Sequence, residues 1–193
     1  MTSIRLANKK DCFAVAKIHF QEINSGFLNQ LGEKFLCCFY EAMIDSANNF
    51  LIIAEDNGFV IGFVSGSANL NGFYKEFAKK YFLKTLFILI KRIFNKDIVK
   101  KILETKKYSK KENLPELLSI AVLSRFQGQG IARKLLDKLI SEMKKRNILS
   151  FRVIVGQDLE ANSFYIKNGF KFLSKDFVHK NSPSNIYLFD IKN

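Results

Sequence analysis

The feature that most constrains this 193-residue chain is a glycine-containing run, residues 127–132, that separates two segments of different periodicity. Residues 116–123, before the run, have the length and apolar composition of a buried β-strand. After the run, residues 131–143 repeat apolar side chains every three or four positions, which predicts a helix with one buried face. A strand, a tight turn and a helix are therefore expected in that order.

The glycines of this run predict an anion-binding turn. Gly128 and Gly130 let the backbone turn tightly and expose its N–H groups. The helix that begins at Ile131 directs the positive end of its dipole toward the same point, so a phosphate group is the expected ligand. A second interpretation stays open at this point, because a strand-to-helix turn can need glycines for its geometry alone.

The same turn carries a resemblance to a known family. Gln127, Gly130 and Ala132 have the spacing Q-x-x-G-x-A, which resembles the pyrophosphate-binding motif of the GNAT superfamily of acyl-CoA N-acyltransferases. The resemblance implies acetyl-CoA as co-substrate and no metal. It also implies contacts to acetyl-CoA from the strand, from the turn and from one residue further on. These residues are Ile120, Ala121, Val122, Gln127, Gly128, Gln129, Gly130, Ile131, Ala132 and Asn162.

Two further residues match catalytic positions of the family. Glu116 stands six residues before Val122, where several GNAT enzymes place a general-base glutamate. Tyr165 lies in residues 161–170, which resemble the family's aromatic-Tyr pair followed by Gly-Phe, where the tyrosine is the usual general acid. The resemblance thus implies that Glu116 accepts a proton from the amine and that Tyr165 protonates the leaving thiolate. Each residue has a structural alternative, Glu116 as an ordinary exposed residue and Tyr165 as a core aromatic.

The chain departs from the family pattern at one position. Many GNAT enzymes have a coenzyme-contacting Asn seven residues before the tyrosine, and this chain has Asp158 there. Asn162 is the expected replacement, although an Asn in a short helix can equally bond only to its own backbone. The resemblance further implies that a backbone N–H near Val122 stabilises the oxyanion at a bulge in the strand. Candidate contacts to the 3′-phosphate are Arg125, Arg133 and Lys134.

The order of predicted elements agrees with an α/β protein of the GNAT fold, in which helices flank a mixed central β-sheet. Helices are predicted from residue 8 or 11, at 31–45, from 131 and around Tyr165. The Asn57-Gly58 pair predicts a hairpin between the second and third strands. Strands are predicted at 3–6, 50–54, 60–65, 116–123, 151–155, 171–173 and 186–189. We expect one domain, residues 1–193.

An insert at about residues 70–111, between the third and fourth strands, is the unusual part of the chain. Residues 75–111 contain thirteen Lys and Arg and three acidic residues, which is ten of the chain's thirteen net positive charges. Apolar residues recur there at helical spacing, which predicts a basic amphipathic helix with a buried apolar face. Those residues are Phe82, Leu83, Leu86, Phe87, Ile90, Ile93 and Phe94.

Three interpretations of this basic helix stay open. In the first, the helix packs on the sheet or on a twin subunit and its lysines are solvated. In the second, the lysines form a collar for an anionic acceptor, and in the third, residues 75–107 contact a membrane surface. Nucleic acid is not expected as a partner, because no nucleic-acid-binding motif is present. The oligomeric state stays open, with a homodimer as one option.

The remaining composition indicates a cytoplasmic protein with reduced thiols. Cys12, Cys37 and Cys38 show no metal-ligand spacing, and His19 and His179 lie far apart in sequence. The N-terminus lacks the apolar core of a signal peptide, and no apolar run approaches the roughly 20 residues that span a bilayer.

The function implied by the resemblance is transfer of the acetyl group of acetyl-CoA to a primary amine by direct attack. Residues 25–36 and the basic insert are similar to GNAT proteins of surface-polysaccharide pathways, which implies a nucleotide-linked amino sugar as acceptor. One alternative is a catalytically inactive module that binds a membrane surface or a partner through the basic helix. A second alternative is an acetyltransferase that acts on protein or peptide N-termini.

Overall fold

The fold is described from a computed structural model, which covers residues 2–23, 27–90, 98, 100, 114–179 and 182–191. The predicted segments at 25–26 and at 91–97, 99 and 101–113, including Ile93 and Phe94, lie outside the described residues. The strands are β1 (Ser3–Leu6), β2 (Asn49–Asp56), β3 (Phe59–Ser67), β4 (Glu116–Val122), β5 (Ser150–Gly156), β6 (Lys171–His179) and β7 (Ser182–Asp190). The helices are α1 (Cys12–Glu22), α2 (Phe27–Gln30), α3 (Glu33–Asp45), α4 (Leu70–Leu89), α5 (Ile131–Lys145) and α6 (Ala161–Lys167).

The strands form one seven-stranded sheet in the order β1-β2-β3-β4-β5-β7-β6. All neighbouring strands are antiparallel except β4 and β5, which are parallel. This mixed sheet flanked by helices confirms the predicted GNAT-type α/β fold. No helix among the described residues is long and apolar enough to cross a bilayer.

Each face of the sheet carries an apolar core. On one face, α5 packs Leu135, Leu136 and Leu139 against apolar side chains of β2 to β5. On the other face, α1, α3 and α4 cover the sheet, and Phe39 of α3 and Phe63 of β3 belong to this second core. The apolar side chains that recur every three or four residues in α5 are its buried ones, as the periodicity predicts.

Turn chemistry explains two boundaries of the fold. Asn57 and Gly58 have φ angles of 49° and 81°, so both central residues of the β2–β3 hairpin are left-handed, as an Asn-Gly turn requires. The predicted helix at 31–45 begins later, at Glu33, because Gly32 has φ 85° and separates it from α2. β1 has its predicted bounds and β4 ends one residue earlier than predicted, whereas the other strands extend one to six residues beyond the predicted edges, most at β6.

The strand bulge lies elsewhere than expected. The register between β3 and β4 pairs Ser65 with Ser119 and Gly66 with Leu117, so Leu118 is the extra residue. The prediction of a bulge near Val122 is therefore wrong by four residues. Val122 itself pairs regularly with Gly62.

The apolar face predicted to be buried in the insert is exposed on α4. Phe82, Leu83 and Phe87 are 56%, 68% and 77% exposed, and Leu86 and Ile90 are exposed as well. The prediction of burial is wrong because α4 has a second apolar stripe at four-residue spacing, and that stripe packs inward. Its apolar members are Phe73, Phe77, Tyr81 and Leu89, and the buried Thr85 continues the same spacing.

Candidate active site

A cleft opens in the sheet where β4 and β5 separate. The two strands pair only at their beginnings, Glu116 with Arg152 and Leu117 with Val153. From there β4 continues along β3 and β5 continues along β7, so the two neighbouring strands diverge. The edge of β4 beyond Leu117 therefore presents backbone polar groups that β5 does not pair, and these line one wall of the cleft. Ile120, Ala121 and Val122 lie on this wall.

The glycine turn stands at the open end of β4. Gly128 and Gly130 have φ angles of 76° and 75°, and no atom lies within 4 Å of where a Cβ would be at either position. Gly130 precedes α5 without a side-chain cap, and the first helical bond runs from the Lys134 N–H to the Gly130 carbonyl at 3.1 Å. The N–H groups of the first helical turn, including those of Ile131 and Ala132, thus lack helical acceptors. An open concavity with unpaired N–H groups fits the diphosphate of acetyl-CoA.

Two polar side chains near the turn are already engaged. Gln127 donates from its side-chain nitrogen to the Val122 carbonyl at 2.9 Å, which closes the turn onto the end of β4. Arg133 donates to Asp137 at 2.8 Å and to Asn168 at 2.8 Å. Gln127 therefore shapes the turn through its side chain, and Arg133 is held along the helix surface.

Asn162 is bonded within the protein at both ends of its amide. The side-chain oxygen accepts hydrogen bonds from Asn185 at 3.0 Å and from the Tyr187 hydroxyl at 2.8 Å. The side-chain nitrogen donates to three backbone carbonyls at 2.6 to 3.1 Å, those of Gly156, Gln157 and Leu159. Both ends of this amide are engaged within the protein, so the Asn162 side chain fixes the loop that follows β5.

Glu116 lies at the closed end of the cleft. Its side-chain oxygen accepts a hydrogen bond from Arg152 Nε at 2.9 Å, and the residue is 7% exposed. Burial raises the pKa of the Glu116 carboxyl, and the Arg152 charge opposes that rise. Glu116 is therefore not the exposed strand-start residue of the structural alternative. It is a buried carboxylate paired with Arg152 and close to Tyr74 of α4, whose pKa rises through burial and the Glu116 charge.

Tyr165 belongs to α6, and its side chain lies in the core. Its ring packs edge-on against Phe164 and Phe170, with ring centroids 5.4 and 5.2 Å away, and is stacked near Tyr187. Among the described residues, its hydroxyl has no hydrogen-bond partner. Burial raises the pKa of this hydroxyl well above its usual value, so Tyr165 keeps its proton at neutral pH.

A row of four buried polar residues was missed by the sequence analysis, apart from Glu116. Asn49, Ser67, Glu116 and Arg152 are register partners on four consecutive strands, and we call them the polar row. All four are at least 91% buried. The signal available in the sequence was Arg152, a lone cation inside the otherwise apolar segment 151–155.

Cationic side chains stand beside the turn on the α1 side. A cleft of about 590 Å³ there is lined by Lys17, Arg125, Ser124, Glu22 and Phe59, among others. The Glu22 carboxylate accepts hydrogen bonds from the Ser124 N–H and hydroxyl at 3.1 and 2.7 Å, so α1 is tied to the start of the turn. In the described parts of the chain, no group of three or more His, Cys, Asp or Glu side chains is placed to hold a metal ion.

Comparison with known proteins agrees with this geometry. The family described as "Acetyltransferase (GNAT) family" matches residues 19–170. No similar sequence was found among curated proteins.

Solved structures share the fold at low sequence identity. Ard1 from Thermoplasma volcanium has a TM-score of 0.65 at 18% identity, covering 100% of this chain and 99% of that one. The ribosomal-protein-S18-alanine N-acetyltransferase from Escherichia coli has a TM-score of 0.64 at 17% identity, with 100% and 96% covered. The putative acetyltransferase yncA from Salmonella typhimurium, solved with acetyl-CoA, has a TM-score of 0.64 at 17% identity, with 100% and 95% covered.

Proposed function

Because the chain belongs to the acetyltransferase (GNAT) family, we propose that acetyl-CoA binds along the cleft between β4 and β5 with its diphosphate on the glycine turn. The protein is an acetyl-CoA-dependent N-acetyltransferase. The observation that carries the binding proposal is the uncapped start of α5, which faces the open space at Gly128 and Gly130. The wall residues Ile120, Ala121 and Val122 then offer backbone groups to the pantetheine arm.

Glu116 is our candidate for the general base. An ammonium group with a pKa near 10.4 is not a nucleophile at neutral pH, so a carboxylate must accept one of its protons. Glu116 is supported by its position at the closed end of the cleft and by its burial, which makes a carboxylate a stronger proton acceptor. Arg152 keeps this carboxylate ionised and oriented through the 2.9 Å contact to Nε.

Tyr165 is our candidate for the general acid. The thiolate that leaves from acetyl-CoA needs a proton, and a tyrosine that stays protonated at neutral pH can donate it. Burial weakens Tyr165 as an acid. A thiolate that departs in the same apolar surroundings would also have its pKa raised. The transfer is thus between two groups whose pKa values move in the same direction.

Calorimetric titration with acetyl-CoA tests the binding proposal. Gly130→Glu sets a carboxylate in the space proposed for the diphosphate and should abolish micromolar binding. Gly58→Glu is the matched control, because Gly58 also has a positive φ of 81° and open space around it, but lies on the β2–β3 hairpin. Equal loss of binding in both variants, or no binding by the folded wild type, would refute the site.

A nucleotide-linked amino sugar is the acceptor that we propose. The chain carries a formal net charge of +13, and Lys75, Lys79 and Lys80 of α4 are exposed, so an acceptor with its own diphosphate meets a favourable field. The N-terminus of a protein is the second candidate, since the E. coli structural relative is a ribosomal-protein-alanine N-acetyltransferase by name.

Acetyl transfer to each amine class separates these two acceptors. The release of free CoA thiol is followed with UDP-glucosamine or with an alanine-terminated peptide at equal concentration. The proposal predicts that Lys75→Glu together with Lys79→Glu raises the KM for the nucleotide sugar and leaves the KM for acetyl-CoA unchanged. Turnover of the peptide alone would assign the second class.

A second function beside catalysis, contact with anionic lipid surfaces, is favoured by one observation. The exposed face of α4 carries Phe82, Leu83 and Phe87 in its second half and Lys75 and Lys79 in its first half. Such a face suits the boundary between acyl chains and anionic headgroups. A second copy of this chain fits less well, because pairing two such faces brings like charges together in a protein of net charge +13.

Vesicle flotation tests the lipid contact. The wild type should float with vesicles that contain anionic phosphatidylglycerol and not with pure phosphatidylcholine vesicles. Phe82→Asp with Phe87→Asp should abolish flotation, whereas Phe59→Asp, a control at a phenylalanine that is 72% exposed on the hairpin, should not. Flotation that survives the double substitution would exclude this face as the lipid contact.

A further inference from the structure

Three buried polar atoms next to Glu116 have no hydrogen-bond partner within the described part of the chain. They are both amide atoms of Asn49 and the hydroxyl oxygen of Ser67. Asn49 is the register partner of Ser67, and Ser67 is the register partner of Glu116. Leaving a buried polar atom without a partner is unfavourable, so three such atoms in one row indicate a bound polar species. Water is the species that suits these atoms, because it can accept from the amide nitrogen and the hydroxyl and donate to the amide oxygen.

The chemistry of the proposed reaction requires a proton to leave this place. An ammonium acceptor and acetyl-CoA give an amide, free CoA thiol and one proton. One N–H proton goes to the general base, and a second, lost as the tetrahedral intermediate collapses, goes to the leaving sulfur. The base therefore ends each turnover protonated and must release that proton to solvent before the next one. Glu116 is 7% exposed, so direct release is obstructed.

From the Asn49 end of the polar row, further polar residues lie on the way to the surface. Beyond Ser67 and Asn49, the Asn49 N–H donates to the Ser46 carbonyl at 3.2 Å. The Ser46 hydroxyl in turn donates to the carboxylate of Glu76 at 2.8 Å, and Glu76 is an exposed residue of α4. The backbone bond between Asn49 and Ser46 does not itself pass a proton, but it places the Ser46 hydroxyl and the Glu76 carboxylate between Asn49 and solvent. Water at the unbonded atoms of Ser67 and Asn49 would have to bridge the remaining distance to Glu116.

We infer that ordered water held by Ser67 and Asn49 carries the proton from Glu116 to the surface at Ser46 and Glu76, which makes Ser67 and Asn49 positioning residues of the base. This inference rests on the proposed role of Glu116 as the base. Glu116 returns to its carboxylate form by passing its proton to the water at Ser67, and the net proton leaves at Glu76.

The first test is a high-resolution crystal structure of the protein, which needs no acceptor. Water within hydrogen-bond distance of Ser67 Oγ and of the Asn49 amide is the expected result. A dry row, or side chains of the chain itself bonded to all three atoms, overturns the relay whatever the enzyme acetylates.

The second test compares the first turnover with the steady state, with acetyl-CoA and UDP-glucosamine as substrates. In Ser67→Ala and Asn49→Leu, the first turnover should keep its rate, while the steady-state rate falls by about tenfold or more, because only later turnovers need Glu116 to be reset. Equal rates in both phases, as in the wild type, would overturn the relay. A merely structural role would slow both phases together.

A matched control and a stability measurement complete this test. Ser65→Ala alters a fully buried serine two residues earlier on β3, whose hydroxyl donates to the Ser119 carbonyl at 3.4 Å, and should leave both phases unchanged. Ser67→Ala and Asn49→Leu should not lower the free energy of unfolding, since they remove atoms without protein partners. If the wild type does not acetylate the sugar, the proposed acceptor fails while the water in the crystal still decides the relay.

Discussion

The hydroxyl groups of two buried tyrosines in one core differ in their hydrogen bonding. The Tyr187 hydroxyl donates to Asn162 at 2.8 Å and so takes part in fixing the loop after β5. The Tyr165 hydroxyl has no partner among the described residues, although the two rings are stacked 6.5 Å apart. A hydroxyl that is not bonded to any described residue is available for chemistry, which is the physical reason to favour Tyr165 as the acid.

Replacing each tyrosine by Phe should separate these roles. Tyr165→Phe should lower kcat by about 100-fold or more with little change in stability, because only the proton donor is lost. Tyr187→Phe should lower the free energy of unfolding by about 1 kcal/mol and leave kcat within about twofold. Steady-state acetyl transfer and urea unfolding measure the two quantities. A Tyr165→Phe enzyme with wild-type kcat would remove this residue from the mechanism.

His19 should make stability depend on pH in the acidic range. It is buried beside Tyr40, with Nδ1 2.6 Å from the Tyr40 hydroxyl, and burial lowers the pKa of His19 to about 4. The unfolded chain binds a proton near pH 6.5 and the folded chain does not, so stability is lost as pH falls from about 6.5 to about 4. The loss reaches about 3 kcal/mol at most.

Urea unfolding of wild type and His19→Gln at a series of pH values checks this. The stability advantage of the wild type should shrink as the pH falls through that window and stay constant above about pH 7. A pH-independent difference would mean that His19 does not titrate in this way.

At the scale of elements, local patterns predicted type and order better than orientation. The Asn57-Gly58 hairpin, the glycine turn and the amphipathic α5 depend on short-range rules and were predicted correctly. The apolar face of α4 was predicted to be buried and is exposed, because α4 has two apolar stripes and periodicity alone does not say which one meets the sheet. The polar row was missed because it joins four strands that are distant in sequence.

The orientation of α4 is fixed in part by one carboxylate at the end of α3. Asp45 accepts hydrogen bonds from Tyr81 at 2.8 Å and from Lys80 at 2.9 Å, and also pairs with Lys9 at 2.7 Å. These contacts hold the pKa of Asp45 well below its usual range.

Asp45→Asn should therefore lower the free energy of unfolding by about 1–2 kcal/mol. Asp137→Asn, a control that removes an exposed pair with Arg133, should cost no more than about 0.5 kcal/mol. Chemical denaturation of both variants gives these values. An Asp45→Asn protein as stable as the control would show that packing of the inward stripe alone orients α4.

At the scale of the whole molecule, the positions of the charges are the property that the structure describes least completely. The net charge of +13 follows from the sequence, and ten of those charges fall in residues 75–111, of which the structure describes only the beginning. Two anionic molecules compete for this field in the proposed reaction, acetyl-CoA at the glycine turn and the acceptor at the surface. Since both attractions are screened by salt, the positions of the cations decide which substrate is affected.

Acetyl-CoA binding should therefore weaken as salt is added, and the cations near the turn should account for that dependence. The association rate is expected to fall by about tenfold between low salt and 0.5 M NaCl, because the Debye length shrinks to about 4 Å and attraction beyond that distance is screened. Arg125→Gln with Lys134→Gln should reduce the slope, whereas Lys75→Gln with Lys79→Gln removes the same charge from α4 and should reduce it less. Stopped-flow titration of acetyl-CoA at several salt concentrations measures the slopes. Equal slopes for the two double variants would mean that the net charge, and not the positions of the cations, governs the association rate. The basic helix would then not act on the acceptor in preference to acetyl-CoA.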